Sequence, residues 1–152
     1  MTRNELIKLI SNESLLFFPA IKDAITRCNE LVEKPKFSPL QMLTLSYIGI
    51  SNRKNNNKGI TMKDIATFIG VSKQQCTKIV DELDKAKCVT RELNVNNRRE
   101  ILVKLTDQGI IELKSAEKIR VKNLTEKYAH LSDQELETIY HHLHEISSIV
   151  NK

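Results

Sequence analysis

Two short runs of side chains hold the chemistry this sequence can offer. After Ser72 come Lys73, Gln74, Gln75, Thr77 and Lys78, and further along Asn97, Arg98 and Arg99 stand in a row. A glutamine amide can pair bidentately with adenine, a threonine methyl can meet the thymine methyl, and lysine can meet guanine or phosphate. A helix starting at Ser72 adds free backbone N–H groups and the positive end of its dipole, both of which favour phosphate. Arginine at the tip of a short hairpin can enter a minor groove, where narrow A·T tracts concentrate negative potential. Taken singly, each run also reads as an ordinary solvated surface, so the elements that hold them must decide.

Those elements are legible from capping signals and periodicity. Thr61-Met62-Lys63-Asp64 opens a short helix that ends at Gly70, and Ser72 restarts the chain as a second helix. Cys76, Ile79, Val80, Leu83 and Ala86 fall on one face of that second helix, which leaves Lys73, Gln74, Gln75, Thr77 and Lys78 on the other. Small Ala66 and the Gly70-Val71-Ser72 turn suit two helices that meet closely, as a helix-turn-helix requires. Residues 88–93 and 100–105 switch to period two, with polar Asn94 to Arg99 between them, which predicts a hairpin with a basic tip. Directly after a helix-turn-helix, such a hairpin is a wing.

The rest of the chain reads as helices. Residues 4–33 show helical spacing interrupted by Pro19, where a kink or break is expected. Ser38-Pro39-Leu40-Gln41 is a capping box that starts a helix to about Ile50, and Ser51–Gly59 reads as a flexible basic loop. Thr106 opens a long helix to about Ala129, and Ser132-Asp133-Gln134-Glu135 opens a last one with Leu136, Ile139, Tyr140, Leu143, Ile146 and Val150 on a stripe. The fold class is therefore mainly α with a small β-hairpin wing. A winged-helix lobe over 38–109 is flanked by helices in 1–37 and 110–152, all within a single domain spanning 1–152.

Charge supports a polyanion partner. The 24 Lys+Arg and 19 Asp+Glu give a net +5. Residues 52–104 alone hold twelve basic and six acidic side chains, a net +6, against −1 for the remainder. Other classes are disfavoured. The apolar run Leu15–Ile21 is too short to span a bilayer, and nothing resembles a signal peptide, which predicts a cytoplasmic protein with no membrane partner. Three cysteines without a CxxC pair exclude a disulfide framework and the usual zinc spacings, and four glycines leave no phosphate-cradling loop. No nucleophile–base or paired-carboxylate arrangement is present, so neither an enzyme nor a cofactor is expected.

Ile60 to Gly109 is similar to the winged-helix core of the MarR family of bacterial transcription regulators. The resemblance rests on Asp64-Ile65-Ala66, Val71-Ser72, Thr77-Lys78-Ile79-Val80-Asp81-Glu82-Leu83, Asn97-Arg98-Arg99 and Val103-Lys104-Leu105-Thr106-Asp107-Gln108-Gly109. It implies a homodimer formed through the terminal helices, bound to double-stranded DNA. The second helix of the motif would lie in the major groove and the wing in the minor groove. It also implies repression of a pseudo-palindromic operator and leaves room for release by a small-molecule effector. The site residues so implied are Ser72, Lys73, Gln74, Gln75, Thr77, Lys78, Asn97, Arg98 and Arg99. Three departures stand out: Asn97 replaces the family's wing Asp, Lys87 replaces a Gly before the first wing strand, and the loop 52–58 looks like an insertion.

Two alternatives remain open at this level. One is a winged helix used for protein contact without sequence-specific DNA binding. The other is an oxidant sensor working through Cys28, Cys76 or Cys88, although Cys76 and Cys88 read as small buried hydrophobes and Cys28 as a residue near the dimer region. His141 and His144 could share a metal with Glu137 or Glu145, but a solvated polar face fits them better, and no metal is expected. Phe17, Phe18, Met42 and Tyr47 could line an effector pocket or simply fill a core, so no ligand site is assigned.

Overall fold

The computed structural model describes residues 1–15 and 36–150. Residues 3–15 are helical (α1), followed by α2 (Pro39–Lys54), β1 (Ile60–Thr61), α3 (Met62–Ile69), α4 (Lys73–Lys85), β2 (Val89–Leu93), β3 (Ile101–Leu105), α5 (Asp107–Lys127) and α6 (Asp133–Val150). This is the winged-helix class expected from the sequence. The Pro19 kink, Cys28, Phe17 and Phe18 lie outside the described residues.

Caps set the element boundaries. Ser38 and Ser72 each form a complete capping box, with Gln41 and Gln75 respectively, and Pro39 takes the first helical position of α2. Thr61 caps α3 and Thr106 caps α5 through their hydroxyls. Gly70 ends α3 at φ 69, the left-handed conformation that glycine adopts without penalty. The end of α4 needs the same conformation at Lys87 (φ 59). There the Cys88 N–H donates to the Leu83 carbonyl and the Lys87 N–H to the Asp84 carbonyl, a Schellman turn carrying lysine where glycine is preferred.

The core is confined to one lobe. Phe37, Leu45 and Ile48 of the α2 region, Ile60, Ile65, Cys76, Ile79, Val80, Leu83, Cys88, Val89 and Val103 are all buried together. The three strands form one antiparallel sheet in the order β1-β3-β2. Gly109 docks α5 onto this lobe so tightly that an added Cβ would stand 2.1 Å from the Cys88 carbonyl oxygen. The bridge from Lys36 to Glu112 ties the same junction, and within α5 Gln108 donates to the same carboxylate.

Two sequence expectations need correction. The helix read as ending near Ile50 continues to Lys54, because Ser51 and Asn52 carry on its inner face, Asn52 buried. The remaining loop is not a floppy insert. Asn56 and Asn57 hold left-handed conformations, the Asn57 N–H donates to the Asn52 carbonyl, and the Asn55 amide donates to the Gly59 carbonyl at 2.7 Å. Asparagine tolerates that conformation better than other non-glycine residues, which is how an Asn-Asn-Asn run makes an ordered turn. The second correction is β1, too short to show a period, which pairs Ile60 with Val103 and Thr61 with Leu102.

Candidate nucleic-acid interface

α4 is sharply two-sided. Cys76, Ile79, Val80 and Leu83 are buried, while Ser72, Lys73, Gln74, Gln75, Thr77 and Lys78 are exposed, as the apolar spacing predicts. Their hydrogen bonds separate the free groups from the committed ones. The Gln75 Oε1 accepts from the Ser72 N–H at 3.2 Å, so Gln75 is held in the cap. The Ser72 hydroxyl accepts from the Gln75 N–H, and the exposed Thr77 donates its hydroxyl to the Lys73 carbonyl at 2.9 Å. The side chains of Lys73, Gln74 and Lys78 have no partner among the described residues.

The second half of α4 is acidic and tied inward. The Arg91 guanidinium on β2 lies 2.5 Å from the Asp81 carboxylate and 3.7 Å from that of Asp84. The Gln41 amide donates to Glu82 at 2.6 Å. The Arg91 bridges offset part of the Asp81 and Asp84 charge and fix the wing strand against α4, while Gln41, a neutral donor, holds Glu82 in place. A half-buried, charge-assisted pair of this kind is stronger than a solvated one. Sequence reading did not single out Arg91; the only available signal was its place on the core face of a strand, opposite Val103.

The wing tip is a compact polar turn. The Asn94 N–H donates to the Glu100 carbonyl, the Asn94 amide donates to the Glu100 carboxylate at 3.0 Å, and Asn97 and Glu100 close the turn through backbone bonds. Asn97 is bound, but not to a guanidinium. Its Oδ1 accepts from the Arg99 backbone N–H at 3.3 Å. Arg98 and Arg99 are exposed, and neither guanidinium has a partner among the described residues. The neutral amide at Asn97 therefore shapes the turn and leaves both cations loose.

The loop before β1 stands elsewhere. Antiparallel pairing of Ile60 with Val103 sends the preceding residues toward Lys104, and an added Cβ on Gly59 would meet Leu102 and Lys104. Arg53, Lys54 and Lys58 thus flank the base of the hairpin. Five residues of strand, about 15 Å at the usual rise, separate that base from Arg99.

The cysteines and histidines are placed plainly. Cys76 and Cys88 are buried free thiols whose Sγ atoms each lie 3.5 Å from a backbone carbonyl, of Met62 and Ala86 respectively. Burial pushes both thiols above their ordinary pKa, so little thiolate is available to an oxidant. His141 and His144 stand beside the Tyr140 ring, and His142 is 3.9 Å from Glu145. No group of three His, Cys, Asp or Glu is arranged to hold a metal among the described residues. Nor is any described helix long and apolar enough to cross a membrane. Of the pocket candidates, Tyr47 stacks on Phe68 with ring centroids 3.8 Å apart, and Met42 packs against the core.

Comparison with known proteins gives a consistent result. Residues 36–100 match the MarR family model. Among solved structures, a mutant of MepR from S. aureus bound to an oligodeoxyribonucleotide is 21% identical, with 99% of each chain covered and a TM-score of 0.57. Wild-type MarR of E. coli is 18% identical over 96% of each chain, with a TM-score of 0.66. RV1404 from Mycobacterium tuberculosis is 18% identical, covering 96% of this chain and 95% of its own, with a TM-score of 0.73. A comparison with curated protein sequences gives no match. At these identities the structures speak for the fold.

Proposed function

We propose that this chain, whose residues 36–100 match the MarR family model, is a winged-helix regulator of transcription that binds double-stranded DNA as a homodimer and represses from a pseudo-palindromic operator. Each α4 lies in a major groove, with the two copies one helical turn, about 34 Å, apart. Lys73 and Lys78 meet phosphate, Gln74 and the Thr77 methyl read base edges, and Ser72 with Gln75 holds the helix start toward the backbone. Arg98 and Arg99 reach the adjacent minor groove on a turn shaped by Asn97. The protein acts in the cytoplasm on chromosomal DNA, and any small-molecule effector works by changing the spacing of the two α4 helices.

The observation that carries this reading is the division of α4 itself. Its acidic half is consumed by Arg91 and Gln41, while its basic N-terminal half and the two wing arginines are left without partners in the same lobe. A second copy is supported by α6, which buries no residue although Leu136, Tyr140, Leu143, Ile146 and Val150 form its apolar stripe. The test is selection from random duplex DNA by the purified chain at moderate salt. An enriched inverted repeat is the expected result. Absence of binding overturns the reading and leaves a winged helix used for protein contact, and salt-sensitive binding without an enriched sequence overturns the operator.

A further inference from the structure

The wing carries more than its arginines. β2 and β3 pair Val89 with Leu105, Arg91 with Val103 and Leu93 with Ile101, so these six side chains share one face of the hairpin. At the base that face is closed, with Val89 and Val103 buried and Arg91 bound to Asp81 and Asp84 of α4. Toward the tip it runs on past the helix. Ile101 is 40% exposed and Leu93 opposite it 68%, and Val95, in the turn that follows β2, is 93% exposed. None of these three apolar side chains belongs to the core formed by the described residues.

The surroundings name the occupant. Arg98 and Arg99 flank this end of the hairpin without ion-pair partners among the described residues. The nearby carboxylates are occupied, Glu92 by Lys104 at 2.6 Å and Glu100 by the Asn94 amide at 3.0 Å. With Glu92 paired to Lys104, the tip sets Arg98 and Arg99 against the single remaining carboxylate of Glu100, so the rim of the apolar patch is net positive and complementary to a polyanion. The patch also lies on the face from which Arg91 reaches α4, so it looks into the space between α4 and the wing. In the docking pose proposed above, the sugar–phosphate strand dividing major from minor groove runs through that space.

We propose that Leu93, Val95 and Ile101 form an apolar wedge that packs on deoxyribose and base edges of the minor groove, beside the arginine contacts. Deoxyribose turns C–H surface into that groove, and apolar side chains seated there favour DNA whose base steps open readily. The wedge displaces no counterions, so its contribution is independent of salt, unlike that of a phosphate-bound arginine. The inference rests on the DNA-binding reading and adds a contact class to it.

The experiment uses the full chain and the duplex enriched by the selection, with affinity measured across a salt series. The variant Leu93→Thr/Val95→Thr/Ile101→Thr keeps strand propensity at exposed positions, so its thermal melt should match that of the parent. Val95→Thr alone, at the most exposed position, should act in the same direction to a smaller extent. The triple variant should bind about tenfold more weakly at every salt concentration, with an unchanged slope of log K against log salt. Arg99→Ala is the contrast, and should flatten that slope by about one. Equal affinity in the triple variant overturns the wedge. So does a loss accompanied by a flattened slope, because the patch would then only orient the arginines. Unchanged DNA affinity with an altered sedimentation mass also overturns it, in favour of a protein contact. A parent chain that binds no duplex removes the DNA reading itself, whereas a parent that binds and a variant that binds equally well removes the wedge alone.

Discussion

The lobe from Phe37 to Val103 and the terminal helices solve the same problem differently. In the lobe below the wing tip, the central apolar stripe meets partners from the same chain: α4 sets Cys76, Ile79, Val80 and Leu83 against Ile65, Val89 and Val103, all buried. In α1 and α6 the stripes go unanswered. Leu6, Leu9 and Ile10 are exposed, as are Leu136, Tyr140, Leu143 and Ile146. An amphipathic period thus states a demand for a partner without saying which chain supplies it. The lobe should hold together on its own contacts, and the terminal helices should depend on a second copy.

The strongest way to break this comparison is at the hinge between the regions. Gly109→Ala puts a methyl 2.1 Å from the Cys88 carbonyl oxygen, a backbone atom in the floor of the core. Neither side can yield, because Cys88 sits in the Schellman turn and the Thr106 hydroxyl donates to the Lys87 carbonyl at 2.6 Å. We expect a loss of about 3 kcal/mol or more, read as a lower urea midpoint. A loss near 1 kcal/mol, the usual cost at an open site, would mean that α5 pivots freely on the lobe. Gly70→Ala supplies that open-site reference, since its added Cβ meets nothing within 4 Å although its φ is +69.

Next in size is Leu143→Glu with Ile146→Glu on α6. Both positions are exposed in the single chain, so the lobe should melt within about 0.5 kcal/mol of the parent. Sedimentation should show monomer in place of dimer. Affinity for a two-half-site duplex should fall by about 100-fold or more, because the second half-site no longer benefits from tethering. A variant that stays dimeric would move the interface off this stripe.

How much was readable in advance follows the same division. Capping and periodicity gave the helices of the lobe, the hairpin and the outward face of α4, because each rests on local interactions along one segment. Cys76 and Cys88 could be read as buried for the same reason. What stayed hidden depended on partners distant in sequence. β1 has two residues and exists only because Val103 and Leu102 accept it. Gln75 is both a capping residue and a candidate base contact, and only the geometry shows that its side-chain carbonyl is committed to the Ser72 N–H. Arg91 was not singled out, because its carboxylate partners lie ten and seven residues back along the chain. The basic loop 52–58 read as a flexible insertion, and only the β1 register shows it at the base of the hairpin, away from the wing tip.

A smaller effect sharpens the lobe side. Lys87 occupies a left-handed position at the end of α4, in a turn whose two backbone bonds are already made. Lys87→Gly removes the Cβ penalty and should stabilise the chain by about 1 kcal/mol, seen as a rise in Tm. Any DNA affinity change should be small, since Lys87 lies at the opposite end of α4 from Lys73. Unchanged or lowered stability would show that the lysine stem packs on the surface well enough to offset the strain.

The smallest expected effect concerns the join between α2 and α5, and pH isolates it. The hydrogen bond from Lys36 holds the Glu112 carboxyl below its ordinary pKa, with Gln108 adding to it, and the same bond raises Lys36. A lowered folded-state pKa means that Glu112 contributes stability above its unfolded value, near pH 4.3, and loses it as the pH falls through the folded value. A raised Lys36 means that its share is present below its unfolded value, near pH 10.4, and is lost only in strong alkali. Glu112→Gln should therefore be modestly less stable than the parent at pH 7, with the difference closing as both are titrated to about pH 3. Urea unfolding at a series of pH values reads this directly. A difference that persists at pH 3 would assign Glu112 to packing rather than charge, and the junction would then rest on Gly109 against the Cys88 backbone, where an added Cβ has no room, and on Leu113 against Gly49.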